Sequence, residues 1–250
     1  MKANIAVFGS MAIAIDQLPA MSLNMQATID DLKESFNEDL ALEAGVSKKD
    51  WDKALAVFEK EVDALNKEGQ DINDRYVKAI NSKLDITSIQ KEGKAYNKKV
   101  LDLFKYVQDN FVGIVFSSDV VMKHVGYQNN IEYMDEIIQD LKKDKVSDAL
   151  DVAYQLNGLC EYNYYLFSPN AAAKIDAHAD KAVENNKWWG NDKGYYFTDT
   201  KNAPTSLLNK EDGDDVSEEI KVYESARTKQ LDSYKEVLEN EILAMNKIGQ

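Results

Sequence analysis

The chain is poor in proline, with only Pro19, Pro169 and Pro204 in 250 residues. Proline removes a backbone donor and clashes with the preceding helical turn, so its scarcity permits long uninterrupted helices. The abundance of Ala, Leu, Lys and Glu favours helices as well. We therefore expect an all-α fold, an elongated helical bundle of about six to eight helices with one long aromatic-rich irregular loop.

Cysteine and arginine are equally scarce. Cys160 stands alone, which excludes an internal disulfide and a cysteine-based zinc cluster. Only two of the 30 basic residues are arginines and the net charge is −14, a poor composition for contacts to nucleic-acid phosphates or an anionic membrane surface. We expect no nucleic-acid partner. The compartment is not fixed by these features, and an extracellular or cell-surface location is favoured over a cytoplasmic one.

The first 25 residues imitate a secretion signal, with Lys2, an apolar run from Ile5 to Ile15 and a small-x-small triplet at 12–14. The run is shorter than the roughly 20 residues that cross a bilayer, so no membrane insertion is expected. Its apolar residues follow helical spacing and Pro19 ends the pattern. We interpret the segment as the first helix of a folded domain that was cut from a longer protein.

Further helices follow from apolar periodicity. Met25 to Leu40 predict one helix closed by Gly45, and steps of four and three predict a long apolar seam from Trp51 to Leu84. That seam is either intramolecular core or a dimer face. Capping-box patterns stand at 47–50 and 87–90. The later predicted helices cover 96–111, 131–141, 146–167, 171–183 and 216–248, and residues 111–122 are read as a buried segment, helical or extended.

The predicted organisation is a single helical domain over residues 1–250. A helical bundle occupies 3–186, an irregular aromatic loop 187–215 and a closing helix 216–248. Loops of this length in a compact domain are usually functional or disordered, and the aromatics argue against disorder. Three roles are open for them, pinning the loop to the bundle, lining a ligand cleft or contacting a partner. The binding or interface candidates are Trp188, Trp189, Tyr195 and Tyr196.

Catalytic and metal signatures are few. Neither His124 nor His178 belongs to a metal-ligand spacing, which favours ordinary hydrogen-bonded histidines. The acidic stretch 212–219 does not fit an EF-hand, because Leu208 and Lys210 would fall on ligand positions if Gly213 were the central glycine. Capping of the last helix is the preferred interpretation. Calcium binding at this stretch stays open.

Two patterns carry a resemblance. The segment IAVFGSMAIAIDQLPAMSLNMQATIDDLKESF has an apolar helix, Leu-Pro, a short turn and an amphipathic helix; residues 198–208 place a lysine before Pro204, an acidic stretch and the final helix. This layout resembles the C-terminal helical domain, of the transferrin-receptor-like dimerisation type, in M28-family zinc peptidases of the glutamate carboxypeptidase type. The match is in layout over nearly the whole chain and most specific at residues 3–36.

The resemblance implies an accessory domain that is not an enzyme on its own. Zinc and its ligands would lie in a separate catalytic domain, and no cofactor or metal is expected in this chain. The expected partners are the parent peptidase domain and a second copy, in a homodimer. Lys201 takes the position of a lysine that reaches towards the substrate's terminal carboxylate in several such peptidases, but Asn202 stands where a tyrosine often follows.

Two other interpretations compete with this one. The first is a free-standing helical binding or scaffold protein of the cell surface that uses the aromatic loop for recognition. The second is an unrecognised helical enzyme that uses carboxylates with His124 or His178. No paired catalytic spacing supports the second.

Overall fold

The structure is a computed structural model that describes residues 18–21, 25–114, 120–166, 200 and 203–248. These residues form eight α-helices and one short hairpin, which confirms the all-α expectation. The helices are α1 Gln26–Glu34, α2 Glu38–Glu43, α3 Lys48–Asn81, α4 Thr87–Phe111, α5 Lys123–Lys142, α6 Val146–Leu166, α7 Ala203–Leu207 and α8 Ser217–Ile248, and the hairpin strands are β1 Val112–Ile114 and β2 Val120–Met122.

The chain divides into two compact units. Unit 1 comprises Met1–Glu34, Lys49–Asn110 and Glu241–Gln250, and unit 2 comprises Ser35–Lys48 and Phe111–Asn240. Each unit contains a cluster of buried apolar side chains of its own. The single domain over residues 1–250 stays a prediction.

Unit 1 is built on the long helices α3 and α4. In the predicted seam of α3, Leu65 is half-buried, and the buried residues are Trp51, Leu55, Phe58, Val62 and Ile72. This part of the seam is therefore core within the chain. The prediction is wrong at Ile80 and Leu84, which are exposed, whereas Ala79 is buried. With 3.6 residues per turn, each step of four rotates the side chain by about 40°, so Ile80, two such steps beyond the buried Ile72, lies about 80° away from it around α3. Leu84 lies beyond the end of α3 at Asn81.

A short stretch before α1 is bound across α3 and α4. The Ala20 N–H donates to Asn73 Oδ1 and the Ala20 carbonyl accepts from Asn73 Nδ2, both at 3.0 Å. Asn97 repeats the arrangement, accepting from the Met21 N–H at 2.8 Å and donating to the Pro19 carbonyl at 3.0 Å. Two asparagines thus satisfy four backbone groups of this non-helical stretch.

The predicted helix from Met25 to Leu40 is two helices. Asn37 separates them with extended backbone, φ −90° and ψ 105°, and its side chain accepts from the Leu40 N–H as the N-cap of α2. The apolar spacing runs on through Phe36 and hides this break. Gly45, with φ +80°, follows the C-terminal cap of α2 as expected.

Unit 2 places α5, α6, α7 and α8 around one apolar cluster. Met134 and Ile137 of α5, Ala149 of α6, Leu207 of α7 and Tyr223 of α8 are all fully buried in it. The predicted helices at 131–141, 146–167 and 216–248 are confirmed as α5, α6 and α8. Within the segment 111–122, residues 112–114 and 120–122 take the extended alternative as the antiparallel pair β1–β2, where Gly113 lies opposite Val121. Phe111 ends α4, and residues 115–119 lie outside the described residues.

Two further sequence expectations need correction. The loop 187–215 is not irregular throughout, because α7 lies within it. Thr87 does not act as the cap of α4: its backbone N–H and its hydroxyl both donate to Asp85 Oδ1, at 2.9 and 2.7 Å, so Asp85 supplies the capping carboxylate. The predicted helix at 171–183 lies outside the described residues.

The Gly93→Ala variant tests the packing of Pro19 on α4. A Cβ on Gly93 would lie 2.7 Å from the Pro19 carbonyl carbon, which is backbone and cannot swing aside. We expect a net loss of about 1–3 kcal/mol in the free energy of unfolding, although alanine alone would favour the helix by roughly 1 kcal/mol. Urea unfolding followed by circular dichroism measures it.

Gly69→Ala is the matched control in α3. Its Cβ would meet the hydroxyl end of the Tyr96 ring, which is side chain and not backbone, so a smaller loss is expected. A Gly93→Ala protein more stable than the parent chain would show that Pro19 does not pack on α4.

Candidate functional site

The residues proposed from the sequence for substrate contact or binding lie outside the described residues. They are Lys201, Trp188, Trp189, Tyr195 and Tyr196, together with His178. Thr200 and Ala203 are the described residues on either side of Lys201 and Asn202. Thr200 is fully buried and Ala203 is 7% exposed, and the Ala203 N–H donates to the Thr200 carbonyl at 3.0 Å. The chain is therefore anchored directly before and after Lys201 and Asn202.

Thr200 and residues 203–219 are the described end of the predicted loop together with the start of α8. We call them the loop base. Pro204 is the second residue of α7, a position where its missing N–H costs no helical hydrogen bond. Ala203 and Leu207 join the apolar cluster of unit 2, and α7 lies against α6. This burial fixes the loop base although α7 has only five residues.

Glu219 carries the buried charge of the loop base. Its residue is 8% exposed, and the Ser206 hydroxyl donates to its Oε1 at 2.5 Å. The Lys210 Nζ lies 4.0 Å from the same oxygen and donates to the Asp215 carbonyl. Glu219 also sits in the first turn of α8, where the helix dipole favours negative charge. The carboxylate therefore ties α7 to α8.

The acidic turn before α8 uses its carboxylates on backbone donors. Asp215 Oδ1 accepts from the Ser217 N–H at 3.0 Å, and this bond lowers the pKa of Asp215 below its usual value. Capping of the last helix is thus confirmed for Asp215. Asp212 instead caps α6, since its Oδ1 accepts from the Val146 N–H at 2.9 Å. Asp144 returns the contact by accepting from the Gly213 N–H at 2.5 Å.

Arg227 of α8 joins three elements of unit 2. Its guanidinium donates to both carboxylate oxygens of Glu43 on α2, at 2.6 and 2.9 Å. It also donates to both oxygens of Asp135 on α5, at 2.5 and 2.9 Å. The bond from Arg227 holds the pKa of Glu43 below its usual value, and the pKa of Arg227 is raised by the same contacts.

Sequence reasoning missed this ion-pair network, since Glu43 and Arg227 are 184 residues apart. The scarcity of arginine in the sequence was a signal that the two arginines have special roles. The second arginine, Arg75, also binds two carboxylates, Asp71 at 2.7 Å and Glu92 at 2.6 Å. The planar guanidinium offers five N–H donors in a fixed fork that pairs with carboxylate oxygens, which suits arginine to these two positions of a lysine-rich chain.

His124 is fully buried at the second residue of α5. Its Nε2 lies 2.9 Å from the hydroxyl oxygen of Ser35, which follows α1. The hydrogen bond satisfies a buried ring nitrogen and holds the start of α5 to Ser35. Within the described ranges, no group of three or more His, Cys, Asp or Glu side chains is placed to hold a metal ion.

Comparisons with known protein families, with curated proteins and with solved structures find no match to this chain. Of the helices in the described part of the chain, none combines the length and the apolar character needed to cross a bilayer.

The Arg227→Met variant tests the network around Arg227. We expect a loss of about 1–2 kcal/mol in the free energy of unfolding at pH 7, below the roughly 3–5 kcal/mol of a broken buried pair, because both carboxylates remain near half-exposed. The depressed pKa of Glu43 contributes stability above its unfolded pKa of about 4.3. That contribution is lost as the pH falls through the pKa of Glu43 in the folded state. The difference in the free energy of unfolding between parent and variant therefore becomes smaller below about pH 4.

Urea unfolding at pH 7, 5 and 3.5 measures this difference. Arg75→Met is the matched control, because Arg75 also binds two carboxylates but its side chain is 41% exposed against 20% for Arg227, and a smaller loss is expected. Equal losses in the two variants, or a difference that does not change with pH, would contradict the assignment.

Proposed function

We propose that the chain is a non-catalytic C-terminal accessory and dimerisation domain of a larger M28-type zinc peptidase. In this role it packs on the peptidase domain and roofs part of the substrate cleft. Zinc belongs to that peptidase domain. Its partners are the parent peptidase domain and a second copy of the chain. Lys201 supplies a positive charge for the substrate's terminal carboxylate, and the aromatic pairs at 188–189 and 195–196 line the cleft or the interface.

The observation that carries the proposal is the double anchoring around Lys201. A lysine that binds a substrate carboxylate needs a fixed backbone, because binding falls off when the supporting residues are loose. Thr200 and Ala203 are buried on either side, and Glu219 with Ser206 holds α7 to α8. A loop presented on a rigid helical base is the usual place for a binding residue.

The structural role of the ionisable groups in unit 2 also supports the proposal. Asp212 and Asp215 bind backbone N–H groups at helix starts, and Arg227 is shared by Glu43 and Asp135. These groups hold helices together. That is what a domain needs when its chemistry is supplied by another domain.

The first experiment compares the chain alone with the chain plus the peptidase domain of its parent protein. Peptidase activity is measured on short peptides with a free C-terminal carboxylate, with and without added zinc. We expect none for the chain alone. With the peptidase domain we expect a stable complex in light scattering on a sizing column and a faster reaction. Hydrolysis by the chain alone, or no complex, would contradict the proposal.

Light scattering on the chain alone over a range of concentrations addresses dimerisation. A dimer supports the accessory role. A monomer at every concentration, together with a parent gene that encodes no peptidase domain, favours the free-standing binding protein that uses the aromatic loop.

Lys201→Ala separates a binding role from a structural role. In the chain alone we expect the free energy of unfolding to change by less than about 0.5 kcal/mol, as for surface substitutions away from special features. In the complex with the peptidase domain we expect a higher KM for peptides with a free terminal carboxylate, and no change for amidated peptides.

The control is Leu207→Ala in the same region. Leu207 is fully buried, so this variant should lose about 2–5 kcal/mol in the free energy of unfolding. A Lys201→Ala protein that unfolds as readily as Leu207→Ala would make Lys201 a structural residue and remove its proposed role.

A further inference from the structure

Helix α4 differs from the other described helices in its charge. It carries five lysines against Glu92, Asp102 and Asp109, and in every other described helix the basic residues do not outnumber the acidic ones. In a chain with a net charge of −14, this helix is a local surplus of positive charge. Such a surface favours an acidic partner, because complementary charges steer and orient protein contacts.

Four of the lysines lie on one face of α4. We call Lys91, Lys94, Lys98 and Lys105 the lysine stripe. At 3.6 residues per turn they fall within about 60° of one another around the helix axis, on the side away from the buried Val100. All four are exposed, and the stripe extends over about 21 Å of helix at 1.5 Å per residue.

Most of the lysine stripe has no partner within the described part of the chain. Lys98 pairs with Asp102 at 2.7 Å on an exposed helix surface. Lys91, Lys94 and Lys105 form no hydrogen bond or ion pair with any described residue. Carboxylates are in excess in this chain, yet these three lysines have none beside them. They are therefore free to bind carboxylates of another molecule.

Helix α8 carries a face of the opposite charge. Asp232, Glu236 and Glu239 are exposed and lie within about 60° of one another around the axis of α8. We call these three residues the acidic stripe. Glu239 lies 3.9 Å from Lys235, whereas Asp232 and Glu236 form no ion pair with any described residue. The same chain thus carries two exposed surfaces of complementary charge.

The two stripes also match in spacing. Lys94, Lys98, Leu101 and Lys105 follow steps of four, three and four residues, and the acidic stripe follows steps of four and three. Two helices whose facing residues recur about every 3.5 residues keep contact along their length. With the stripes aligned, Asp232 meets Lys94 when the helices run parallel and Lys105 when they run antiparallel. A lysine therefore faces a carboxylate in either direction.

We infer that the lysine stripe of one copy binds the acidic stripe of a second copy. A second copy is favoured over other acidic partners because its own α8 contains the matching spacing. Its net charge of −14 acts weakly at physiological salt, since exposed charges farther apart than about 8 Å are screened there. Exposed ion pairs are individually weak, so the association is weak and salt-sensitive. The inference names the surfaces for the second copy in the proposed function and rests on that function in this respect alone.

Charge reversal on the full 250-residue chain tests the inference. Lys94→Glu with Lys105→Glu makes the α4 face acidic, and Asp232→Lys with Glu236→Lys makes the α8 face basic. Sedimentation velocity measures the molar mass over a range of protein concentrations in about 50 mM salt, where screening is weak. We expect the parent chain to associate, and each double variant to raise the dissociation constant about tenfold or more. An equimolar mixture of the two double variants should associate again, because each offers the charge that the other lacks.

Lys60→Glu with Lys67→Glu on α3 is the matched control. Both lysines are exposed, and the change in net charge equals that of the α4 variant, so this protein should associate as the parent chain does. The α8 variant is a control for general repulsion, because its net charge is closer to zero by four and repulsion alone predicts stronger association. Circular dichroism checks that every variant keeps its helices.

Three results would overturn the inference. A parent chain that stays monomeric at about 1 mM in low salt forms no contact of useful strength. A dimer that survives both reversals uses other surfaces, which leaves the homodimer of the proposed function in place. A mixture of the two double variants that stays monomeric shows that the two stripes do not bind each other.

Discussion

The described part of the structure depends on how it relieves repulsion among its acidic side chains. The chain has 44 acidic and 30 basic residues, so lysine pairs alone leave carboxylates uncompensated. The ends of helices supply the missing positive charge, because their first N–H groups have no partner within the helix. Asp85, Asp212 and Asp215 each bind such a donor, at the starts of α4, α6 and α8. These acidic side chains therefore stabilise the points where loops end and helices begin.

Arginine resolves the same constraint away from helix ends. Where two carboxylates meet one cation, Arg227 and Arg75 are found. The two sites differ in solvent access, and the partly buried one at Arg227 connects α2, α5 and α8 of unit 2. A lysine there, with three donors on one nitrogen, could not donate to both oxygens of both carboxylates as Arg227 does. In a lysine-rich acidic chain, an arginine therefore marks a position where two carboxylates are expected to meet.

The helices could be predicted because burial repeats locally every 3.6 residues. The apolar spacing gives a wrong prediction where it continues beyond the buried part of a helix. Phe36 continues the apolar spacing across the break at Asn37, and Ile80 continues it beyond the core of α3. The contacts of Asp212 with Val146 and of Arg227 with Glu43 join residues 66 and 184 positions apart. No local pattern encodes such pairs, so the site's support was not predictable although its flanking helices were.

The two asparagines that hold Pro19 to Met21 illustrate how a short motif acquires its structural role. Leu-Pro in the sequence signals only that a helix stops. The structure adds the reason for a fixed path afterwards, since Asn73 and Asn97 each bind two backbone groups and Gly93 lets the Pro19 backbone approach α4 closely. These four hydrogen bonds and the close approach to Gly93 fix the path of Pro19 to Met21 across α3 and α4.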